Sequence, residues 1–162
     1  DKPGMNGFQT YPNFLRLADI YLMYAEAVLQ GYESAKASVP GRGLTAEAAV
    51  NIIRNRATVP DVDQKFTGTV PDFMEVIIRE RAMELAFESN HRWHDLRRWL
   101  IADQKKYLDK TAIDFDRGPN GKPINLKERV VITRVFEKKH YWYPFPVKST
   151  MLYPGFGQNP GW

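Results

Sequence analysis

Three glutamates and an arginine recur at one- and four-residue steps near the middle of the chain: Glu80, Arg81, Glu84 and Glu88. Paired carboxylates suggest glycoside hydrolysis, in which two acids stand about 5 to 10 Å apart on either side of the sugar bond. Carboxylates four residues apart on a helix point the same way, so they cannot flank a bond from both sides. We therefore predict a structural network of ion pairs, with Arg81 and Arg92 as partners, and no catalytic residue. A glycosidase using Glu84 or Glu88 is the remote alternative.

Two of the three histidines stand close to acidic residues. His91 and His94, together with Glu88 and Asp95, have a spacing that could bring metal ligands together on a helix. A catalytic zinc ion needs about three protein ligands, and the third is not evident here. The plainer interpretation is that His91 caps the start of a helix. We predict no metal site and no cofactor.

Aromatic residues make up 13% of the chain and could serve either the core or a ligand. Trp93 and Trp99 fall on the inner side of an amphipathic segment, which favours a role in the core over sugar stacking. Tyr141, Trp142 and Trp162 lie in irregular segments, where binding residues concentrate. They are candidates for contact with a sugar, and the alternative is that they clamp an extended tail onto the helices.

Composition excludes several classes of protein. The charge of +4 over 162 residues comes from short basic runs among carboxylates, and there is no Gly-rich phosphate loop, so we predict no nucleic-acid partner. The chain has no Cys, which excludes disulfides and thiolate metal sites. No apolar run approaches the roughly 20 residues of a membrane helix. Because the chain starts at Asp1, we expect a processed or truncated product, with any export signal or lipid anchor lying upstream.

Four apolar-periodic segments predict four helices, over residues 13–31, from Thr45 to just before Pro60, 71–90 and 91–106. Asn13 and Thr45 are expected to cap the first two, and Gly31 to end the first. In the first helix, Arg16 and Asp19 are expected on the outer face. The inner face of the second is predicted to contain Ala46, Ala49, Val50, Ile53 and Ala57. The apolar wall of the third is predicted to contain Phe73, Val76, Ile77, Met83, Leu85, Ala86 and Phe87.

These helices predict a mainly α fold of two tetratricopeptide-like antiparallel pairs, followed by an irregular aromatic- and Pro/Gly-rich segment with at most short strands. Residues 114–127 are predicted to be a turn-rich loop and residues 129–136 a short strand. We expect residues 1–162 to form a single unit, with helical hairpins in 13–106 and an irregular tail in 107–162 that packs on them.

Five stretches together resemble the SusD/RagB family of outer-membrane nutrient-binding lipoproteins. They are RLADIYLMYAEA (Arg16–Ala27), NIIRNRA (Asn51–Ala57), IRERAMELAFESNHRWHDLRRW (Ile78–Trp99), YPFP (Tyr143–Pro146) and QNPGW (Gln158–Trp162). They occur in the order found in that family and span almost the whole chain. The third is the most specific. The resemblance identifies the chain as the C-terminal part of a larger SusD-like protein.

The sequence departs from the family pattern in three places. Ser89 stands where the family usually has Gly at a helix-helix corner, so Asn90 is expected to adopt the left-handed conformation instead. Phe145 replaces a usual Ile, and Tyr153 stands where Asn is common.

The resemblance implies a non-catalytic lipoprotein on the extracellular face of the outer membrane of Bacteroidetes-type bacteria. It implies capture of oligosaccharides or polysaccharides, or of peptides in some members, for a TonB-dependent SusC-like transporter. Contact with the membrane is implied only through an upstream lipid anchor. Ligand-binding aromatics in the family tend to come from upstream loops, which leaves open that the sugar site lies outside this chain. The alternative function is a helical-hairpin module for protein interaction without its own sugar site.

Overall fold

A computed structural model of the chain describes residues 15–88, 90–152 and 155–162. The helices are α1 (Leu17–Tyr32), α2 (Ala46–Arg56), α3 (Val70–Glu84), α4 (His91–Arg98), α5 (Lys105–Leu108) and α6 (Val147–Thr150). The strands are β1 (Asp109–Arg117) and β2 (Pro123–Thr133), and short 3-10 helices cover Gln64–Phe66 and Lys138–Tyr141. None of these helices is long and apolar enough to cross a membrane. Described residues up to Arg92 form one compact unit, and those from Trp93 onward form another.

The core of the first unit lies where α1 packs against both α2 and α3. Its largest fully buried side chains are Leu22, Leu29, Val50, Phe73 and Ile77. Burying a side chain of this size stabilises the fold by about 1.5–3 kcal/mol. The alanines among the core residues, including Ala25, Ala46 and Ala49, allow the helices to approach closely. The predicted inner face of α2 is confirmed except at Ala57, which follows the end of α2 and is exposed.

Short polar side chains set the beginnings of α2 and α3. The Thr45 hydroxyl accepts a hydrogen bond from the Ala48 amide at 3.0 Å, so the predicted cap of α2 is confirmed. Thr69 caps α3 in the same way, accepting from the Asp72 amide at 3.2 Å. The predicted cap of α1, Asn13, lies outside the described residues. That helix runs past the predicted stop at Gly31 and ends where Glu33 turns left-handed, with a φ of 53°.

Several further expectations about burial in this unit were wrong. Asp19 was expected on the surface but is buried, because it lies against α3 and pairs there with Arg81. Met83 is 71% exposed on the outside of α3. The α3 helix ends at Glu84, so Ala86 and Phe87 no longer follow its apolar face and are exposed.

The connection between α3 and α4 is longer than the sequence predicted. Asn90 has a φ of 59°, which confirms the left-handed conformation expected there, whereas Ser89 lies outside the described residues. Since α3 ends at Glu84, it does not reach Asn90 as predicted. The α4 helix is also shorter than the predicted 91–106, because Leu100 turns left-handed with a φ of 55° just after Arg98.

Residues 109–133 form an antiparallel hairpin, which corrects the prediction of a loop over 114–127 and at most short strands. The two strands contain 9 and 11 residues, with Ile113 opposite Glu128 in the register. They are joined by a turn in which the Gly118 amide donates to the Lys122 carbonyl at 2.9 Å. A Cβ on Gly118 would lie 2.9 Å from that carbonyl oxygen, so the turn requires glycine. The predicted single unit and the tetratricopeptide-like pairing of helices stay predictions.

Candidate functional site

The glutamates of the central stretch are held by arginines from other parts of the first unit. The Arg16 guanidinium contacts both Glu84 and Glu88 at 2.8 Å, and Arg56 contacts Glu84 at 2.7 Å. Arg54 pairs with Glu80. These contacts confirm the structural ion-pair network, and they add Arg16, Arg54 and Arg56 as partners that the sequence did not single out. The hydrogen bond to Glu88 raises the pKa of Arg16, which therefore stays charged.

The acidic and histidine residues near the start of α4 also have other roles. Within the described ranges, no three His, Asp or Glu side chains come together as possible ligands of one metal ion. Asp95 is buried, and its carboxylate accepts a hydrogen bond from the Arg98 side chain at 2.9 Å. The geometry thus offers Asp95 as an ion partner rather than as a metal ligand.

An aromatic cluster organises the irregular part of the second unit. The Phe136 ring makes edge-to-face contacts with Trp93, His140 and Tyr141, at centroid distances of 5.9, 5.5 and 4.8 Å. The His140 ring in turn makes an edge-to-face contact with the Trp162 ring, with 5.4 Å between the centroids. Such pairs each add about 0.5–1.5 kcal/mol beyond the area they bury. The cluster holds the 3-10 helix and its neighbours in place without an extended backbone ladder.

The last five residues, Gln158–Trp162, form what we call the terminal clamp. The Gln158 side-chain amide pairs with both backbone groups of Phe145, accepting from its amide at 2.6 Å and donating to its carbonyl at 2.8 Å. The Asn159 side chain donates to the carbonyl of Tyr143. The Trp162 indole N–H is shared between the carbonyls of Lys139 at 3.1 Å and Trp142 at 3.2 Å. Polar side chains thereby satisfy backbone groups that have no strand partner.

Arg97, on α4, lies within the aromatic cluster. Its guanidinium carbon is 4.0 Å from the ring centroid of Tyr143 and 5.5 Å from that of Trp93. It also donates a hydrogen bond to the Tyr141 carbonyl. The Tyr143 hydroxyl accepts from the Trp93 indole at 3.0 Å, which fixes both rings around the arginine. A cation held over aromatic faces in this way is attracted by their negative charge distribution.

The three candidate residues from the sequence have different surroundings. Tyr141 is half-buried, and its hydroxyl donates to Asp103 at 2.6 Å; burial and this hydrogen bond raise the pKa of Tyr141. Trp162 is 47% exposed, but its indole N–H is used by the terminal clamp. Trp142 is 62% exposed, and no described residue accepts a hydrogen bond from its indole N–H. Trp142 is therefore the most accessible of the three, and sugar contact by any of them stays a prediction.

Trp142 borders two cavities in the second unit. The first, which we call the aromatic cleft, has a volume of about 230 Å³ and is lined by Trp93, Val135, Phe136, His140, Trp142, Tyr143 and Trp162. The second, the arginine pocket, has a volume of about 400 Å³ and is lined by His94, Arg97, Arg98, Leu100, Tyr141 and Trp142. Small-molecule sites commonly measure about 300–1,000 Å³, so the arginine pocket has the size of such a site and the cleft is smaller.

The sequence did not identify Arg97 or Tyr143 as parts of one site. Arg97 belongs to the stretch DLRRW, and Tyr143 belongs to YPFP. The two residues are 46 positions apart, and no local spacing connects them. Trp93, expected in the core, borders the aromatic cleft and is 37% exposed.

Comparison with known proteins gives consistent matches. The model of the SusD family matches residues 2–162. A SusD-like protein of Bacteroides ovatus is 41% identical over 101 residues, which cover 62% of this chain and 15% of that protein. The crystal structure of a SusD-like protein from Bacteroides fragilis superposes with a TM-score of 0.68 at 29% identity, covering 91% of this chain and 25% of that one. The chain thus spans only a minor part of the length of either relative.

Proposed function

Because the chain belongs to the SusD family, we propose that it forms part of a nutrient-binding protein of the cell surface that captures oligosaccharides or polysaccharides. In this proposal the protein is lipid-anchored at the extracellular face of the outer membrane. It passes its ligand to a TonB-dependent SusC-like transporter and does not cleave it. Family membership supports nutrient capture, and the details of ligand, anchor and transporter belong to the proposal.

The observation that supports a sugar contact within this chain is the position of Trp142. Trp142 is 62% exposed and lines both the aromatic cleft and the arginine pocket. Aromatic faces are flat apolar platforms, and the apolar face of a pyranose ring can lie against them. The Trp142 indole N–H, which has no acceptor among the described residues, adds a donor for a sugar hydroxyl. The clamp fixes the Trp142 backbone, so little order has to be gained when a ligand binds.

The absence of catalysis in this proposal rests on the state of the glutamates. Both carboxylate oxygens of Glu84 accept hydrogen bonds from the guanidinium groups of Arg16 and Arg56. A general acid in a glycosidase needs a free approach to the sugar oxygen. A carboxylate that binds two guanidinium groups does not offer that approach.

A binding assay on the full chain tests the proposal. We expect isothermal titration calorimetry against a panel of neutral and acidic oligosaccharides to detect binding to at least one of them. Trp142→Ala should weaken that binding by about tenfold or more, a change of about 1.4 kcal/mol. The control is Phe115→Ala, because Phe115 is 60% exposed on the hairpin and lies outside both cavities. Binding to no saccharide, or equal loss in both variants, would contradict the proposal.

The alternative function, a protein-interaction module, is favoured by the outer face of α1. Leu17, Ile20 and Met23 recur there at three-residue steps and are 67%, 41% and 41% exposed. An apolar stripe of this kind suits packing against another helix. Co-purification of the chain with the transporter in the absence of sugar, and its loss in Ile20→Glu, would favour this function. Peptide capture is the remaining alternative, and a peptide panel in the same calorimetric assay would detect it.

A further inference from the structure

We propose that the sugar held at Trp142 carries a negative charge, which Arg97 recognises in the arginine pocket. This inference rests on the proposed function, since it names the chemical class of the ligand at the same site. The shared chemistry is an oxyanion on a pyranose ring. The carboxylate of a uronic acid and a sulfate ester are its two possible sources.

The lining of the arginine pocket carries an excess of positive groups. Arg97 and Arg98 line the pocket together with His94, and none of the six lining residues is acidic. Trp142 borders the same space, so a sugar lying on its ring would have its substituents near these cations. The two arginines differ, however, because Arg98 contacts the buried carboxylate of Asp95 at 2.9 Å.

Arg97 has the properties of a cation poised for a ligand. No carboxylate of the described residues forms an ion pair with it. Its Nε–H is buried and has no acceptor within the described part of the chain, while one terminal nitrogen donates to the Tyr141 carbonyl. The Tyr143 and Trp93 rings pack against the Arg97 guanidinium group and hold it in one orientation. A hydrogen bond between a guanidinium and an oxyanion is about twice as strong as a neutral one, so an anionic substituent would be selected.

A purely structural role for Arg97 would also use its contacts with Tyr141 and Tyr143. That role predicts an effect on stability alone, because fastening the segment does not depend on the charge of a ligand. Recognition of an oxyanion predicts a difference in affinity between charged and neutral forms of the same sugar. The two roles are therefore separated by the ligand and not by the stability of a variant.

The first experiment uses the unmodified full chain. Its affinity for an oligogalacturonide is compared by calorimetry with that for the fully methyl-esterified oligosaccharide, which has the same rings without the charge. We expect the acid to bind about tenfold more tightly at low salt, and the difference to shrink at high salt because ions screen exposed charges. A sulfated galactan oligosaccharide, compared with its desulfated form, distinguishes sulfate from carboxylate as the source. Equal affinity within both pairs would overturn the inference.

The second experiment assigns the preference to Arg97. We expect Arg97→Gln to remove the tenfold difference between acid and ester. The matched control, Arg129→Gln, also removes one positive charge but lies on the hairpin in an exposed pair with Asp114, and should keep the difference. Circular dichroism checks that each variant folds, and if Arg97→Gln does not, the salt dependence of the unmodified chain decides. A difference that persists in folded Arg97→Gln would overturn the inference.

The outcomes also separate this inference from the proposed function. Binding to neutral saccharides at Trp142 without a preference for charge would leave the proposed function standing and refute the role of Arg97. Binding to no saccharide of either kind would refute both.

Discussion

Asp19→Ala is expected to destabilise the first unit strongly, because Asp19 forms a buried ion pair with Arg81. The carboxylate oxygen and the guanidinium nitrogen are 2.7 Å apart, and the two side chains are only 6% and 4% exposed. The residues lie on α1 and α3 and are 62 positions apart in the chain. Removing one member of a buried pair leaves the other charge in a poorly solvated place, which typically costs about 3–5 kcal/mol.

The expected effect can be measured in two ways. Urea denaturation followed by circular dichroism should show a loss of about 3–5 kcal/mol in the free energy of unfolding. For a chain of this size each kcal/mol lowers Tm by about 2–4 °C, so the melting temperature should fall by roughly 6–20 °C.

The matched control is Asp114→Ala. Asp114 pairs with Arg129 at 2.8 Å, but both side chains are more than half exposed, so its loss should cost about 0–1 kcal/mol. A second control replaces both members, as Asp19→Leu with Arg81→Met, and should recover most of the loss because no buried charge remains. If Asp19→Ala cost no more than Asp114→Ala, the argument from burial would be wrong.

Two further predictions concern a helix cap and a titrating hydroxyl. Thr45→Ala removes the acceptor of the Ala48 amide and should cost about 1 kcal/mol by urea denaturation, whereas Thr45→Ser should cost little; equal losses would contradict the cap. The pKa of Tyr141 is raised above 10.0 by burial and by Asp103, so the folded state holds this proton more tightly than the unfolded state does. The stability that this hydroxyl contributes should be complete below pH 10 and should fall at higher pH. In melting curves recorded at several pH values, Tyr141→Phe should reduce that fall. An unchanged pH dependence of Tm in the variant would contradict the prediction.

Local signals predicted much of the first unit. Thr45 followed by an acidic first turn identified the start of α2, and the spacing of Ala46, Ala49, Val50 and Ile53 identified its buried face. Asn90 was expected to turn left-handed because its short polar side chain tolerates that conformation, and it does. The burial of Asp19 could not be predicted in this way, because it depends on Arg81, which lies 62 positions away in the sequence.

The second unit was predicted less well. Gly118, Pro119, Asn120 and Gly121 form only a turn between two strands, and not the long loop predicted over 114–127. Thr111, Ile113 and Phe115 alternate with other residues as in a strand, and this part of β1 was not predicted. The candidate site was likewise predicted only in part. Tyr141, Trp142 and Trp162 could be selected by residue type and setting, but the arrangement of Arg97 on Tyr143 depends on tertiary packing that no local pattern encodes.

The terminal clamp has a consequence for how this part of the protein can change over evolution. Its hydrogen bonds join residues that are 13 to 23 positions apart in the sequence. This separation grows from the pair of Gln158 and Phe145 to the pair of Trp162 and Lys139. The segment between Phe145 and Gln158, which contains α6, is thus fastened at both ends. Doubling the length of a flexible connection adds only about 0.6 kcal/mol of closure entropy. Insertions between the two fastened ends would therefore be tolerated at little thermodynamic expense, while the clamp keeps the Trp142 backbone fixed.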